Sequence, residues 1–132
     1  MEDNKVLIQH KTETRKSSIH GYGVFAKEKI KKGDIVEECH FMSVHPLMHS
    51  LIKRWPIFRY VFSYPKNIVE ELIWPFGSGC VFNSSPTPNV EWNTDTVNRL
   101  LIFIAIKDIK KGEEMFIDYE SSLKYCKNQG LI

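Results

Sequence analysis

The sequence lacks most of the features that would place its chemistry at a glance. Its three cysteines, Cys39, Cys80 and Cys126, are widely spaced and odd in number, and no Cys-x-x-Cys pair occurs. That pattern argues against a disulfide framework and against a cysteine zinc site. The longest apolar run, Leu100 to Ile106, has seven residues, where a bilayer span needs ~20. No apolar stretch follows Met1-Glu2-Asp3-Asn4-Lys5, so no secretory leader is expected and the chain reads as soluble and intracellular. Gly-x-Ser-x-Gly, His-Glu-x-x-His and the phosphate-binding loop are missing. His45 and His49 are four apart, but Pro46 between them breaks the helix that would pair them, so no metal is expected. Net charge is only +2, from 18 Lys and Arg against 16 Asp and Glu. That is too weak for a nucleic-acid coat, and no direct nucleic-acid partner and no membrane are expected. The excess is local: residues 1–32 carry eight basic and four acidic side chains, a mild pull toward acidic surfaces that is ordinarily a solvated face.

What is present is an ordinary globular composition, 132 residues with 42% hydrophobic and 26% charged side chains. Length favours one domain over residues 1–132. The local signals are short and mostly β. Strands are predicted at Val6-Leu7-Ile8, Val24-Phe25-Ala26, Ile35 to Cys39, Met42-Ser43-Val44 and Met115-Phe116-Ile117. A hairpin is predicted from Val90-Glu91-Trp92 and Leu100 to Ile106 through the loop Asn93 to Asn98. Leu47, Leu51, Trp55, Phe58 and Phe62 suggest a helix over 47–62 broken at Pro56, and a second short helix is predicted near Asn67 to Ile73. The last dozen residues, with Leu123, Tyr125, Leu131 and Ile132, read as a tail folding back. Trp55, Phe58 and Trp74 form either a homodimer surface or core. Ile30-Lys31-Lys32-Gly33-Asp34 recurs as Ile109-Lys110-Lys111-Gly112-Glu113. The echo predicts two like polar turns, each with a glycine at positive φ, joining small sheets of related shape.

Three segments carry candidate chemistry. Gly21-Tyr22-Gly23 before Val24-Phe25-Ala26 lets backbone approach a ligand beneath an aromatic ring, although a tight turn before a strand gives the same pattern. In Phe82-Asn83-Ser84-Ser85-Pro86-Thr87-Pro88-Asn89 a rigid polar loop follows an apolar strand, so Asn83 needs buried partners that a ligand can supply. Gly112-Glu113-Glu114-Met115-Phe116-Ile117-Asp118-Tyr119 alternates as a strand and ends on a tyrosine whose hydroxyl needs a partner.

In this order and at this separation the three segments resemble the SET-domain lysine methyltransferases, over about residues 5–120. Gly21-Tyr22-Gly23 is similar to the family's Gly-x-Gly cofactor motif. Asn83 to Asn89 matches the length of its Asn-His-Ser-Cys-x-Pro-Asn segment, with Ser84 in place of His and Pro86 in place of Cys. Gly112 to Tyr119 is similar to its Gly-Glu-Glu-Leu-x-x-x-Tyr ending, and Tyr60-Val61-Phe62 to the Tyr-x-Phe segment beside the lysine channel. The short length resembles the free-standing SET proteins of large DNA viruses and some bacteria, which implies the host nucleus or the bacterial cytoplasm.

The resemblance implies a mostly β fold, the SET-domain (β-clip) arrangement of several small sheets with short helices and a C-terminal pseudoknot. It implies S-adenosylmethionine as cofactor, bound by Gly21, Tyr22, Gly23, Asn83, Ser84 and Tyr125, with residues 121–132 closing the site. It implies Tyr119 as the catalytic residue and Tyr60, Phe62 and Ile117 as the walls of the substrate channel. The implied partner is a protein substrate, with a histone tail as its class. Ile117 holds the position where a Phe or Tyr tunes product number, which predicts reaction beyond monomethylation. The competing readings are a silent cofactor- or peptide-binding module of the same fold, for which Ser84 is the support, and a small β interaction domain with chance motifs.

Overall fold

The computed structural model describes residues 11–52, 54–55, 60–68 and 70–119. Ten short strands dominate it: β1 (Thr12–Lys16), β2 (Tyr22–Ala26), β3 (Ile35–Cys39), β4 (Phe41–Val44), β5 (Phe62–Tyr64), β6 (Glu71–Pro75), β7 (Asn83–Ser84), β8 (Val90–Asp95), β9 (Leu100–Ala105) and β10 (Glu114–Ile117). A 3-10 turn at Pro46–Met48 runs into one short helix, α1 (His49–Ile52). The strands form three small sheets, in the orders β1-β2-β10-β7, β3-β9-β8 and β4-β6-β5.

Alternation built most of these strands. In β10 Met115 and Ile117 are buried and their neighbours are not, and in β8 Val90 and Trp92 face in. β1 is an edge strand whose Glu13, Arg15 and Lys16 all face water, which discourages pairing with another chain. The core centres on Phe62, whose ring meets Trp92 at 5.0 Å, Tyr119 at 5.2 Å and Phe103 at 6.1 Å, each edge to face. One buried carboxylate ties this core to the loop that precedes the site. Glu37 on β3 accepts from the Thr12 hydroxyl at 3.0 Å, the Ser78 N–H at 2.9 Å and the Cys39 thiol at 3.1 Å. Burial and the neighbouring Glu37 charge push the Cys39 thiol far up, so it stays protonated.

The recurrent turns meet face to face. Ile30 and Ile109 exchange main-chain hydrogen bonds at 2.9 and 2.8 Å. Around them each bond has a mate: Ala26 N to Glu113 O and Ala105 N to Asp34 O, both 2.9 Å, then Gly112 N to Ala26 O at 2.7 Å and Gly33 N to Ala105 O at 2.8 Å. Gly33 and Gly112 both have positive φ, at 93° and 85°. The echo is thus a local two-fold relation between β2 with its following turn and β9 with its following turn.

Several sequence expectations need correction. Asn67 to Ile73 is not a helix: Ile68 closes a turn and residues 71–75 form β6, the middle strand of its sheet. Among the described residues of 47–62, helical structure is limited to the 3-10 turn, α1 and a 3-10 residue at Tyr60, and Phe62 opens β5 instead. Asn93, Thr94 and Asp95 belong to β8, so the hairpin turn is the shorter 96–99. Trp74 is core, at 6% exposure, whereas Trp55 is exposed. Phe58, Val6-Leu7-Ile8 and the tail 121–132 lie outside the described residues.

β10 is held on both edges, antiparallel to β2 and parallel to β7. The loop after β7 closes on it. Buried Asn89 donates its amide to Glu114 O at 3.0 Å and accepts the Phe116 N–H at 2.7 Å, while its own N–H reaches Phe116 O at 3.2 Å. β10 thereby seats against the 83–89 loop, the contact expected of the pseudoknot. Replacing Asn89 by Ala strands one buried donor and one buried acceptor. Urea unfolding of Asn89→Ala is expected to show a loss of about 2–4 kcal/mol with little change in slope.

Candidate active site

The site begins where β2 does. Ser17 N–H bonds Gly21 O at 2.7 Å, and the Ser17 hydroxyl accepts the N–H groups of Ile19 and His20 at 3.0 and 3.3 Å, so residues 17–21 form a tight turn. Gly21 has φ 46° and open space where a Cβ would stand, so this glycine answers a backbone requirement. Gly23 answers a steric one. A Cβ there would fall within 2.3 Å of Glu114 Oε2 and 3.0 Å of Asn83 Nδ2.

That crowding marks a polar knot. Asn83 Nδ2 donates to Glu114 Oε2 at 2.7 Å, His20 O at 3.0 Å and Tyr22 O at 3.3 Å. The Ser17 hydroxyl donates to Glu114 Oε1 at 2.7 Å. Three acceptors around the Asn83 nitrogen fix the amide's orientation, and its Oδ1 accepts no hydrogen bond from the described residues. Asn83 therefore offers the neighbouring cavity an acceptor.

Two cavities adjoin this knot. The outer, about 530 Å³, is bounded by His20, Gly21 and Tyr22 on one side and by Met42, Trp74, Pro75 and Phe76 on the other. The inner, about 150 Å³, is lined by Phe62, Gly79, Ser84, Ile117 and Tyr119. Tyr60, Cys80, Phe82 and Asn83 line both and so form the partition. No Asp, Glu, Lys or Arg lines either cavity among the described residues. Burial pushes the Cys80 thiol up to about 11, so it is a neutral wall at neutral pH.

Tyr119 sits in the inner cavity with its hydroxyl donating to Val61 O at 2.5 Å and its ring edge to face with Phe62. Its N–H is held by the Ser84 hydroxyl at 3.1 Å. Ser84 thus keeps the β7 segment tied to Tyr119 despite its departure from the family residue. Ile117 is 1% exposed and walls the same cavity. Phe62 is at once core and cavity wall, and Tyr60, 47% exposed, stands at the rim. Tyr22 is exposed at the outer mouth. The structure therefore brings together Gly21, Tyr22, Gly23, Asn83, Ser84, Tyr60, Phe62, Ile117 and Tyr119, residues drawn from four distant segments. Tyr125 lies outside the described residues.

Sequence reasoning missed Glu114, Cys80, Phe82 and the outer wall from β4 and β6. Glu114 was visible only as a motif letter, since a carboxylate opening a strand looks solvated. The outer wall has no local signal, because it is assembled by sheet pairing between β4 and β6.

Comparison with known proteins agrees with this geometry. The SET domain family model matches residues 21–120, and the chain belongs to that family. The Schizosaccharomyces pombe histone-lysine N-methyltransferase specific for H3 lysine 37 is 27% identical over 120 residues, covering 89% of this chain and 78% of that protein. A Plasmodium falciparum protein assigned as a histone methyltransferase superposes with a TM-score of 0.70 at 30% identity, covering 85% of this chain and 95% of the other. The Neurospora SET domain protein DIM-5, a histone lysine methyltransferase, shares the fold with a TM-score of 0.63 at 23% identity, covering 82% of this chain and 51% of the other. Family membership and the Schizosaccharomyces pombe relative make the chain a protein-lysine N-methyltransferase. No helix among the described residues is long and apolar enough to cross a membrane.

The knot at Gly23 makes a checkable prediction. Gly23→Ala and Glu114→Ala should each lower the melting temperature by several degrees, the first by collision and the second by releasing Asn83. Combined, they should cost less than the sum of the single changes by at least ~1 kcal/mol, since removing the carboxylate removes the collision. Strict additivity in a thermal-melt double-mutant cycle would contradict the contact.

Proposed function

We propose that the protein transfers a methyl group from S-adenosylmethionine to a lysine side chain of a histone tail. The observation that carries the reading is the pair of cavities sharing the wall Tyr60, Cys80, Phe82 and Asn83, with Tyr119 in the inner one. The outer cavity fits the cofactor. Gly21 keeps a side chain out of its mouth, Gly23 leaves room for the Glu114–Asn83 contact behind it, and Asn83 Oδ1 is an acceptor suited to the cofactor's amino group. Tyr22 and the apolar wall from Trp74 to Phe76 suit its adenine. Bound there, the cofactor supplies an electrophilic methyl on a sulfonium. The closing role assigned by resemblance to Tyr125 and residues 121–132 completes this reading, with the chain acting as a single domain.

The inner cavity acts on the lysine. An amine attacks only after losing its proton, and its reference pKa is ~10.4. A small space walled by Phe62, Phe82 and Ile117, with no carboxylate lining it among the described residues, disfavours the ammonium form. Aromatic rings at Tyr60 and Phe62 still offer an alkylammonium product a cation–π contact of about 0.5–2 kcal/mol. The proton of the Tyr119 hydroxyl is committed to Val61 O, so toward the cavity that oxygen acts as an acceptor that orients the amine. Positioning of the two reactants from opposite cavities is the main source of rate, since no general acid is needed.

The test is methyl transfer from labelled cofactor to core histones and to a cell lysate, with wild type beside Tyr119→Phe. Label on a histone that falls about 100-fold or more in the variant, with cofactor affinity by calorimetry unchanged within threefold, is the expected result. Cofactor binding without transfer in wild type would instead establish the silent binding module. A second measurement concerns product number. Ile117 carries no hydroxyl to hold a water in the cavity, so exhaustive reaction should give di- or trimethyl-lysine by mass spectrometry. A product that stops at monomethyl would contradict this role for Ile117.

A further inference from the structure

The balanced net charge hides a strong polarity. Residues 11–34 and 107–113 hold ten Lys and Arg against five Asp and Glu, a net of +5, while all other positions together hold eight against eleven, a net of −3. The two segments are far apart in the chain, and the fold superposes them. Ile30 pairs with Ile109, and Asp108 Oδ1 accepts the Lys32 N–H at 2.9 Å, so the two turns form one surface. Lys27, Lys29, Lys31 and Lys32 come from one half and Lys107, Lys110 and Lys111 from its two-fold mate, and all seven are exposed. Two of the acids on this face are engaged. Asp34 is held by the Lys31 N–H and Lys11, and Asp108 by Lys32. Glu28 and Glu113 are exposed; Glu13 is paired with Arg15 at its edge.

We propose that this lysine face docks on the phosphate backbone of duplex DNA, without reading base sequence. One observation favours DNA over an acidic protein, and two more fit a contact with backbone phosphates that reads no sequence. Exposed Ile19 and Tyr22 lie in 11–26, but none of the exposed large apolar side chains falls in 27–34 or 106–113, so the lysine turns themselves carry no anchor for a protein interface. The charges of the seven are all lysine ammonium groups, which meet phosphates as point charges and need no planar partner. The face is built of tight turns, with no helix or ribbon to enter a groove. It is also remote from the chemistry. From Gly112 the chain runs through β10 (Glu114–Ile117) to Tyr119, seven residues on, or up to ~23 Å at ~3.3 Å each, so DNA on the lysine turns leaves Tyr119 and the inner cavity clear. Resting on the histone reading above, the face would hold the enzyme on the DNA around which its substrate is wrapped.

The experiment is fluorescence anisotropy of the full chain with a labelled 20-bp duplex of arbitrary sequence, between 50 and 200 mM NaCl. The comparison is the variant K31Q/K32Q/K110Q/K111Q, with its thermal melt as the folding control. Wild type should bind in the micromolar range and weaken steeply with salt. The variant should bind at least tenfold more weakly at 50 mM, its log–log salt slope flatter by about 3–4, given ~0.9 per phosphate contact. Its methylation of free histones should match wild type while methylation of nucleosomes falls at least fivefold. No binding by wild type at 50 mM, or equal binding by a folded variant, overturns the proposal. So does a polyglutamate peptide that binds as tightly as DNA with the same lysine dependence, which would mark an acidic protein as the partner. The binding measurement needs no turnover: DNA binding without any methyl transfer would refute the histone reading alone.

Discussion

The seating of β10 between β2 and the 83–89 loop is the constraint on which the rest of the structure depends. One strand of four residues carries Glu114 at its start and delivers Tyr119 just past its end. Its main chain is gripped by Asn89, and its first side chain fixes Asn83 and forbids any side chain at Gly23. Shifting this strand by one residue would turn Met115 and Ile117 out of the core and move both cavities' shared wall at once. The register is secured three times over: by apolar alternation, by the amide clamp and by the carboxylate.

The division of labour between polar and apolar groups follows from the chemistry proposed. Charged groups near a reacting amine would trap it as ammonium, so the carboxylate that organises the site has to sit outside the cavities. Glu114 does this: it spends its oxygens on Ser17 and Asn83, and only the amide of Asn83 faces the ligand space. The site is thus ordered by a charge it does not expose.

Much of this was legible in the residues, and what was not has an identifiable cause. Strands with strong alternation or β-branched runs, such as 35–39, 100–105 and 115–117, appear where their patterns put them. The motif residues converge because each motif is defined by backbone demands, positive φ at Gly21 and close approach at Gly23, that local sequence records directly. β6 reads as helix from its residues because Leu72 and Ile73 are buried on both faces, which erases the period-two signal and leaves pairing with β4 and β5 to decide. The twin turns were visible as an echo, but their mutual contact was not, because nothing local tells one copy that it will meet the other.

That two-fold contact has a consequence for how the protein comes into being. β2 finds its central neighbour in β10 and Ile30 its partner in Ile109, so the pairing in the middle of the first sheet joins positions near opposite ends of the described chain. Such closures are entropically costly and slow relative to local hairpins. On a ribosome, β2 would leave the exit tunnel long before its mate was synthesised, with one edge unpaired. The active site can therefore exist only after β10 and Tyr119 have emerged, and folding intermediates lacking β10 would expose the apolar strand Val24–Ala26 to whatever holds nascent chains.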